Sequence, residues 1–424
     1  MSFRLLGLCD ALLNTLAEKS YTTPSPIQIE AIPAVLDGRD VMAMAQTGTG
    51  KTAAFALPVA QLLSGGTNPL AKNVRGLIIV PTRELASQVA KSVENYCCNM
   101  AIRCGAVFGG VRIEPQISML KDGLDILVAT PGRLIDLYHQ QAINFEQLEI
   151  LVLDEADRML ELGFIDDIRS IQNLLPNQRQ TLMFSATFSK SIKALAKSML
   201  NNPLVIEVTT ANSTVDSVKQ LIHPVDKARK SEALIYLIKK NKWHQLLVFC
   251  RTKRGADDLV SQLKNAGISA DSIHANRTQH ARTLALDGFS NGNIQVLVAT
   301  DIASRGIDVN QLPCVINFDL PYVAEDYVHR IGRTGRADNT GLALSLFSED
   351  ESKQLQTIER VIGCKLPREI ISGFTPNKKA SVKTSDGELY GNFEPDPKLK
   401  SKRKGEFLGR GKRLAKSSSS KRNR

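Results

Sequence analysis

The run Ala45-Gln46-Thr47-Gly48-Thr49-Gly50-Lys51-Thr52 constrains this chain more than any other stretch. It follows a short apolar run, Val41–Met44, of the length of a buried strand, and it precedes Ala53–Leu57, which reads as a helix entering a core. Strand, glycine-rich turn and helix N-terminus in that order make an anion cradle, because unpaired backbone N–H groups and the positive end of the helix dipole converge on one point. In the phosphate-binding pattern Gly-x4-Gly-Lys-Ser/Thr, the lysine reaches the outer phosphates and the hydroxyl sits on magnesium. Lys51 and Thr52 occupy those places, and Ala45 stands where the pattern has its first glycine. A plain glycine-rich turn with a chance Lys-Thr is the competing explanation, and the flanking strand and helix count against it.

With 424 residues the chain is long enough for two or three domains. Leu8, Leu12 and Leu16 recur at helical spacing near the start, and Tyr21–Gln28 follows as a proline-stiffened turn. Strand-like runs then alternate with helical stretches: Leu77–Val80, Ala101–Val107, Ile126–Ala129, Leu151–Leu153, Thr181–Phe184 and Leu204–Val208. A second series holds Leu246–Phe249, Ser269–Ile273, Val296–Ala299, Val315–Phe318 and Leu342–Leu346. This rhythm predicts parallel sheets with helices on both faces. Ile126–Thr130 echoes Val296–Thr300, and Leu151–Asp154 echoes Ile316–Asp319, so the second series reads as a copy of the first. The expected division is a first domain over 1–208, a polar linker over 209–217, a second domain over 218–374 and a tail over 375–424, with strand ends facing a cleft between the domains.

Charge separates the tail from the rest. From Lys398 onward there are 12 Lys or Arg and one acid, Glu406, which account for the whole net charge of +11, so residues 1–397 balance. A basic Ser/Gly/Lys segment buries too little apolar surface to fold, so 375–424 is expected to be disordered, either a phosphate-backbone tether or a solubilising tail. No apolar stretch is long enough to span a bilayer, Asp10 interrupts the only N-terminal candidate for a signal peptide, and the seven cysteines lack metal-ligand spacing, which together point to a cytoplasmic protein with reduced thiols.

Two adjacent carboxylates, Asp154 and Glu155, follow the run Leu151–Leu153. After such a strand in a phosphate-loop protein, one carboxylate holds magnesium and its neighbour orients or deprotonates the attacking water, which assigns Asp154 to the metal and Glu155 to the base; a merely acidic helix start is the alternative. Ser185 and Thr187 end the next strand, where their hydroxyls can bond the acidic cluster and report nucleotide state to the far domain, or simply cap a helix. His329–Arg336 places arginines at 330, 333 and 336, too basic and glycine-broken for an ordinary buried helix, and able to reach across a cleft to a transferring phosphate. Pro81-Thr82-Arg83, Gly109-Gly110, Thr130–Arg133, Arg251-Thr252, Gln279–Arg282 and Thr300-Asp301 mix small residues, hydroxyls and arginine beside strands, as groups that grip a sugar-phosphate backbone do; each alone is also an ordinary capped turn. Aromatics are only 5% of the chain, which argues against a platform stacking many bases.

With these motifs in this order, the chain resembles the DEAD-box ATP-dependent RNA helicases over about residues 3–350. Asp154-Glu155-Ala156-Asp157 spells the family's signature, and Ala45–Thr52 reproduces its version of the phosphate loop, with alanine in the first place. Pro81–Leu85, Thr130–Arg133, Ser185–Thr187, Ala299–Asp308 and His329–Arg336 match its other motifs. Arg158–Phe164 and the basic tail bring it nearest to the bacterial RhlE-type branch. The resemblance implies two tandem RecA-like domains and ATP with Mg2+ as nucleotide and metal. It also implies that Gln28 reads the adenine edge, Phe3 stacks on the base, and Asp308 binds the ribose. Arg333 and Arg336 then meet the γ-phosphate, while Pro81, Thr82, Arg83, Gly110, Thr130, Arg133, Arg251, Gln279, Arg282 and Thr300 line the RNA. Ser20 and Ser25 depart from the family's glycine and threonine, and Ser25 keeps the hydroxyl, so ATP selectivity is expected to survive.

The implied activity is ATP-driven, non-processive unwinding of short RNA duplexes and remodelling of RNA–protein complexes by a monomer, with ribosomal precursor particles or RNA-degradation machinery as partners. An ATP-gated RNA clamp with little unwinding, or a DNA helicase, would use the same motifs.

Overall fold

The structure is a computed structural model that describes residues 2–45, 49–208, 218–304, 312–335 and 341–376. The first sheet contains β1 (Val41–Met44), β2 (Val74–Ile79), β3 (Cys104–Val107), β4 (Leu124–Ala129), β5 (Ile150–Leu153), β6 (Gln180–Ser185) and β7 (Leu204–Glu207). The second contains β8 (Val218–Pro224), β9 (Leu246–Phe249), β10 (Ala270–Ile273), β11 (Val296–Ala299), β12 (Cys314–Asn317) and β13 (Gly341–Phe347). Every pairing in both sheets is parallel. Helices cover both faces, and central strands such as β5, β9 and β11 are fully buried runs dominated by Val, Ile and Leu, as a sheet covered on two sides requires. The architecture is α/β, two RecA-like parallel-sheet domains in tandem.

The strand orders are β3-β4-β2-β5-β6-β1-β7 and β10-β11-β9-β12-β13-β8. Laid side by side, β4 and β11 take the same place, and so do β5 and β12. These are the two pairs of strands that echo one another in sequence. The same alignment puts β8 opposite β1. Val218–Pro224 does not read as a strand because it carries Lys, Gln and His and ends on proline. Its polar residues are buried through specific partners: Gln220 Oε1 accepts from Tyr327 Oη at 3.0 Å, and His223 Nδ1 lies 2.8 Å from the Glu369 carbonyl. The expected linker, 209–217, lies outside the described residues, as do 377–424 of the tail.

Local rules account for the elements that carry the site. The leucine repeat near the start forms the helix Asp10–Glu18, which buries Leu12 and Leu16. Lys51–Ser64 is a helix rich in small residues, so it packs close to the sheet, with Phe55 fully buried against Phe184 of β6 at 5.2 Å between ring centroids. Between β1 and β5 lies β6, so the loop after β1 and the carboxylates after β5 are two strands apart, with Ser185 between them. Among the described residues no helix is long and apolar enough to cross a membrane, no metal-ligand cluster forms, and the cysteines are free thiols.

Candidate nucleotide and nucleic-acid site

The helix Lys51–Ser64 starts from Gly50, whose φ of +88° few side chains tolerate, and a Cβ there would come within 2.4 Å of Gln28 Nε2. Gln28 sits in the first turn of the helix Pro26–Leu36; its Oε1 accepts from the Ser25 N–H at 2.9 Å and its Nε2 donates to the Gly50 carbonyl at 3.1 Å. The amide therefore ties this turn to the phosphate loop, and keeps one hydrogen and one lone pair for another partner. Ser20, where the family has glycine, still adopts φ +60°, a conformation that disfavours a side chain by about 1–2 kcal/mol. Phe3 lies in the turn Phe3–Leu6 and is buried in the hydrophobic core, so packing is the role visible for it.

Lys51 is only 7% exposed, and its Nζ has no hydrogen-bond partner among the described residues. A buried ammonium without a hydrogen-bond partner is unfavourable even with the Asp154 carboxylate near enough to act on it, so the position fits an anion brought in from solution. Thr52 is half-buried on the first turn of the same helix, next to Lys51, and Thr49 precedes it. Gln46, Thr47 and Gly48 lie outside the described residues, as do Asp308 and Arg336.

Asp154 directly follows β5 at 3% exposure, and burial raises its carboxyl to about 6; Lys51 opposes the rise, while Glu155 and Asp157 add to it. Its Oδ1 accepts from the Glu155 N–H at 2.9 Å. Glu155 itself takes a left-handed backbone, φ +52° and ψ +48°, the kind of strain that turns a side chain out of the run of the chain and collects at functional sites. Asp157 accepts from the Arg158 N–H and, at 3.0 Å, from the Ala186 N–H. That backbone amide links the acidic turn to Ser185–Thr187. The Ser185 hydroxyl does not make this link as expected from the sequence: it is fully buried and donates to the Thr187 carbonyl at 2.8 Å.

One small cavity is lined by Lys51, Glu155, Asp157, Arg158, Glu161 and Ala186 from the first domain and by His329 and Arg333 from the second. Arg330 behaves differently from the expectation for this basic run. The helix Ala324–Ile331 includes it and buries it to 2% exposure, with Nε and Nη2 donating to the two carboxylate oxygens of Asp301 at 2.5 and 2.8 Å and Nη1 to Asn317 and the Asp319 carbonyl. Its guanidinium also lies 4.9 Å from the Phe249 ring centroid. A fully partnered arginine can be buried in a helix, and this one anchors the last turn of the helix that carries His329 and leads into Arg333.

The nucleic-acid candidates gather at other strand ends. Thr82 caps the helix Arg83–Tyr96, accepting from the Leu85 N–H at 3.3 Å just after Pro81. Gly110, at φ +77°, leaves room for the Arg83 guanidinium, which a Cβ there would overlap. Arg133 donates to the Val111 carbonyl at 2.9 Å, beside Thr130 at the N-cap of Pro131–His139, so two arginines brace the same glycine loop. These residues follow β2, β3 and β4, which are neighbours in the first sheet. Arg251, Gln279, Arg282 and Thr300 follow β9, β10 and β11, the equivalent neighbours in the second. Arg251 pairs with Glu351 at 2.7 Å and lies over the Tyr322 ring. Thr300 is nearly buried, with its amide on the Ile273 carbonyl.

Gln279 and Arg282 cross to the first domain. Gln279 Nε2 donates to Glu84 Oε1 at 3.0 Å, and Arg282 Nη2 lies 3.0 Å from Glu84 Oε2. Glu84, Arg158 and His329 receive no role from the sequence. Glu84 appears there only as part of the run Pro81–Leu85, and only tertiary structure reveals its partners.

Residues 25–195 match the family described as DEAD/DEAH box helicase, and 229–338 the helicase conserved C-terminal domain. The chain is 38% identical over 383 residues to the DEAD-box ATP-dependent RNA helicase RhpA of Helicobacter pylori (strain B128), covering 90% of this chain and 76% of that one. It is 41% identical over 367 residues to the DEAD-box ATP-dependent RNA helicase CshA of Bacillus cereus (strain ATCC 10987), covering 87% and 69%. Among solved structures, S. cerevisiae Dbp5 bound to RNA and ADP BeF3 aligns at a TM-score of 0.78 and 31% identity, over 87% of this chain and 95% of that one.

Proposed function

Because the chain belongs to the DEAD-box ATP-dependent RNA helicases, we propose that it couples ATP binding and hydrolysis to local, non-processive opening of short RNA duplexes and to remodelling of RNA–protein complexes. It is an RNA-dependent ATPase and helicase by family. The observation that carries the finer reading is the cavity to which Lys51 and Glu155 contribute from one domain and Arg333 from the other.

A triphosphate held at Lys51 touches both domains only when they are together, and so does a strand lying across the two sets of loops. Each ligand then stabilises the closed arrangement and raises the affinity for the other. In this reading Lys51 draws in the outer phosphates, the loop 45–52 supplies backbone N–H donors, Glu155 orients the attacking water and takes its proton, and Arg333 with Arg336 offsets the charge that develops on the γ-phosphate. Thr52 and Asp154 offer the hydroxyl and carboxylate oxygens that suit Mg2+, which when bound neutralises phosphate charge. Gln28 reads the adenine edge with its remaining hydrogen and lone pair, Phe3 lies against the base, and Asp308 takes the ribose.

Pro81, Thr82, Arg83, Gly110, Thr130 and Arg133 in one domain, and Arg251, Gln279, Arg282 and Thr300 in the other, border the strand, with Ser185 and Thr187 relaying nucleotide state. Bending that strand disrupts a few stacked steps of about 1.4 kcal/mol each, the figure for DNA duplexes. The domain division at 209–217, a tail that tethers RNA, a monomeric cytoplasmic protein of the RhlE-type branch, and ribosomal precursors or RNA-degradation machinery as partners belong to the same proposal.

A second reading, an ATP-gated clamp with little unwinding, is favoured by the buried contact of Glu84 with Gln279 and Arg282, which would prolong closure. ATP hydrolysis measured with RNA and with DNA of the same sequence, beside displacement of a short RNA strand, separates these readings. RNA-specific hydrolysis with displacement is expected. Hydrolysis without displacement supports the clamp, and equal activation by DNA overturns the RNA assignment.

A further inference from the structure

The cavity at Lys51 continues beyond the reacting groups. Asp157, Glu161 and His329 line it and also line a groove of about 1020 Å³. That groove runs between the helices Ile165–Leu174 and Lys190–Met199 of the first domain and Ala324–Ile331 of the second. Arg158 stands beside the junction, 8% exposed. Its Nη1 donates to Glu161 Oε2 at 2.7 Å, while its Nε and Nη2 are buried without hydrogen-bond partners among the described residues. A buried guanidinium with two unanswered N–H groups is unfavourable unless an anion visits it, and its planar fork matches phosphate oxygens.

The carboxylates shared by the cavity and the groove are already engaged, while Glu155 lines only the cavity and Glu325 only the groove. Asp157 is held by the backbone N–H groups of Arg158 and Ala186, and Glu161 by Arg158 itself. Beyond them the groove wall carries the hydroxyls of Thr187, Ser189, Ser191 and Ser198, which can both donate to and accept from a partly protonated anion. Hydrolysis joins the oxygen of water to the γ-phosphorus and breaks its bond to the bridging oxygen, whose electron pair stays with ADP. The proton lost by the water leaves through Glu155 or remains on the new phosphate. That phosphate must then depart while ADP still fills the loop side of the site.

We infer that Arg158 receives the inorganic phosphate after cleavage and that the groove between the two domains is the route by which it leaves. This rests on the ATP site proposed above, and the test separates the two. Single-turnover cleavage by the full chain with RNA, followed by acid quench, is measured first; a chain that cleaves no ATP refutes the site itself.

Phosphate release is then followed with a fluorescent phosphate-binding protein. Ala194 is exposed on the groove wall, away from the reacting groups, and Ala194→Trp should leave cleavage as it is while release falls behind by about tenfold or more. Arg158→Gln should raise the concentration of added inorganic phosphate that half-inhibits turnover by about tenfold or more, the loss of one charge-assisted hydrogen bond. Arg158→Lys should recover part of that loss. Release that keeps pace with cleavage in Ala194→Trp overturns the route, and unchanged phosphate inhibition in Arg158→Gln overturns the role of the guanidinium.

Discussion

Arg282 of the second domain lies 3.0 Å from Glu84 of the first, and both side chains are almost wholly buried where they meet. Gln279 takes the other carboxylate oxygen, so one acid is clasped by two residues from across the cleft. The clasp can exist only when the domains are closed. A buried pair of this kind is costly to break from one side, by about 3–5 kcal/mol, because the partner is left as an uncompensated charge. Glu84→Gln should therefore weaken the mutual enhancement of RNA and ATP-analogue binding by tenfold or more, about 1.4 kcal/mol at the least, while ATP binding without RNA changes little. Titrating the analogue with and without RNA reads the coupling directly, and a Glu84→Ala/Arg282→Ala double-mutant cycle isolates the pair.

Arg330 and Arg333 are three residues apart but should fail differently. Arg330 is bound to Asp301, Asn317 and a backbone carbonyl inside the second domain. Arg330→Ala should destabilise that domain by about 3–5 kcal/mol and lower its melting temperature. Arg333 lines the cavity opposite Lys51. Arg333→Ala should melt close to wild type yet lose about 10³-fold or more in RNA-stimulated turnover. Similar melting and similar residual activity in the two variants would contradict the division.

Glu155→Gln keeps the size and the strained backbone of the residue and removes its ability to take a proton. Turnover should fall by about 10²–10⁴-fold while ATP binding is retained. The closed complex should then persist, seen as RNA that stays bound in excess ATP and dissociates promptly in the wild type. Rapid turnover by this variant would remove Glu155 from the role of base.

Much of this was legible in sequence wherever a short-range pattern carried the information. The buried strands announce themselves by composition, and the echoes between β4 and β11 and between β5 and β12 mark equivalent places in two sheets. β8 was hidden because Gln220 and His223 are buried through distant partners, Tyr327 and Glu369, which no local pattern encodes. Arg330 and Glu84 show the same limit in the site. A run of arginines looks solvent-facing until its carboxylate partner is known, and Glu84 has no local pattern that announces the guanidinium reaching it from the other domain. Ser185 differs again: its place at the end of a strand was readable, but that strand's position between the loop and the acids, and the choice between its hydroxyl and the next backbone amide, depend on sheet order and on geometry at the scale of single bonds.

The tail prediction follows from counterion release. Residues 398–424 hold 12 Lys or Arg, and each one that meets a phosphate displaces condensed cations, so affinity falls steeply with salt. Deleting 398–424 should flatten the slope of log affinity for RNA against log salt while RNA-stimulated turnover at saturating RNA is preserved. An unchanged slope would leave the tail as a solubilising segment only.

The buried carboxylate of Asp154 makes stability itself report on the site. Burial raises its pKa to about 6 in the folded chain, against 3.8 for the ordinary side chain, so between those values the folded state binds more protons than the unfolded state. Stability then falls as pH rises through that window, and above it the wild type carries a penalty of about 3 kcal/mol. Asp154→Asn has no charge to desolvate. Without magnesium or nucleotide, it should melt higher than wild type at pH 7.5, and the difference should shrink toward nothing as pH is lowered to about 4. Added magnesium and ATP should reverse the order, because a bound cation restores the favour for the ionised form that burial removes. If the two proteins melt alike at both pH values, the carboxylate is not desolvated, and the poised acid beside Lys51 is the wrong description of the site.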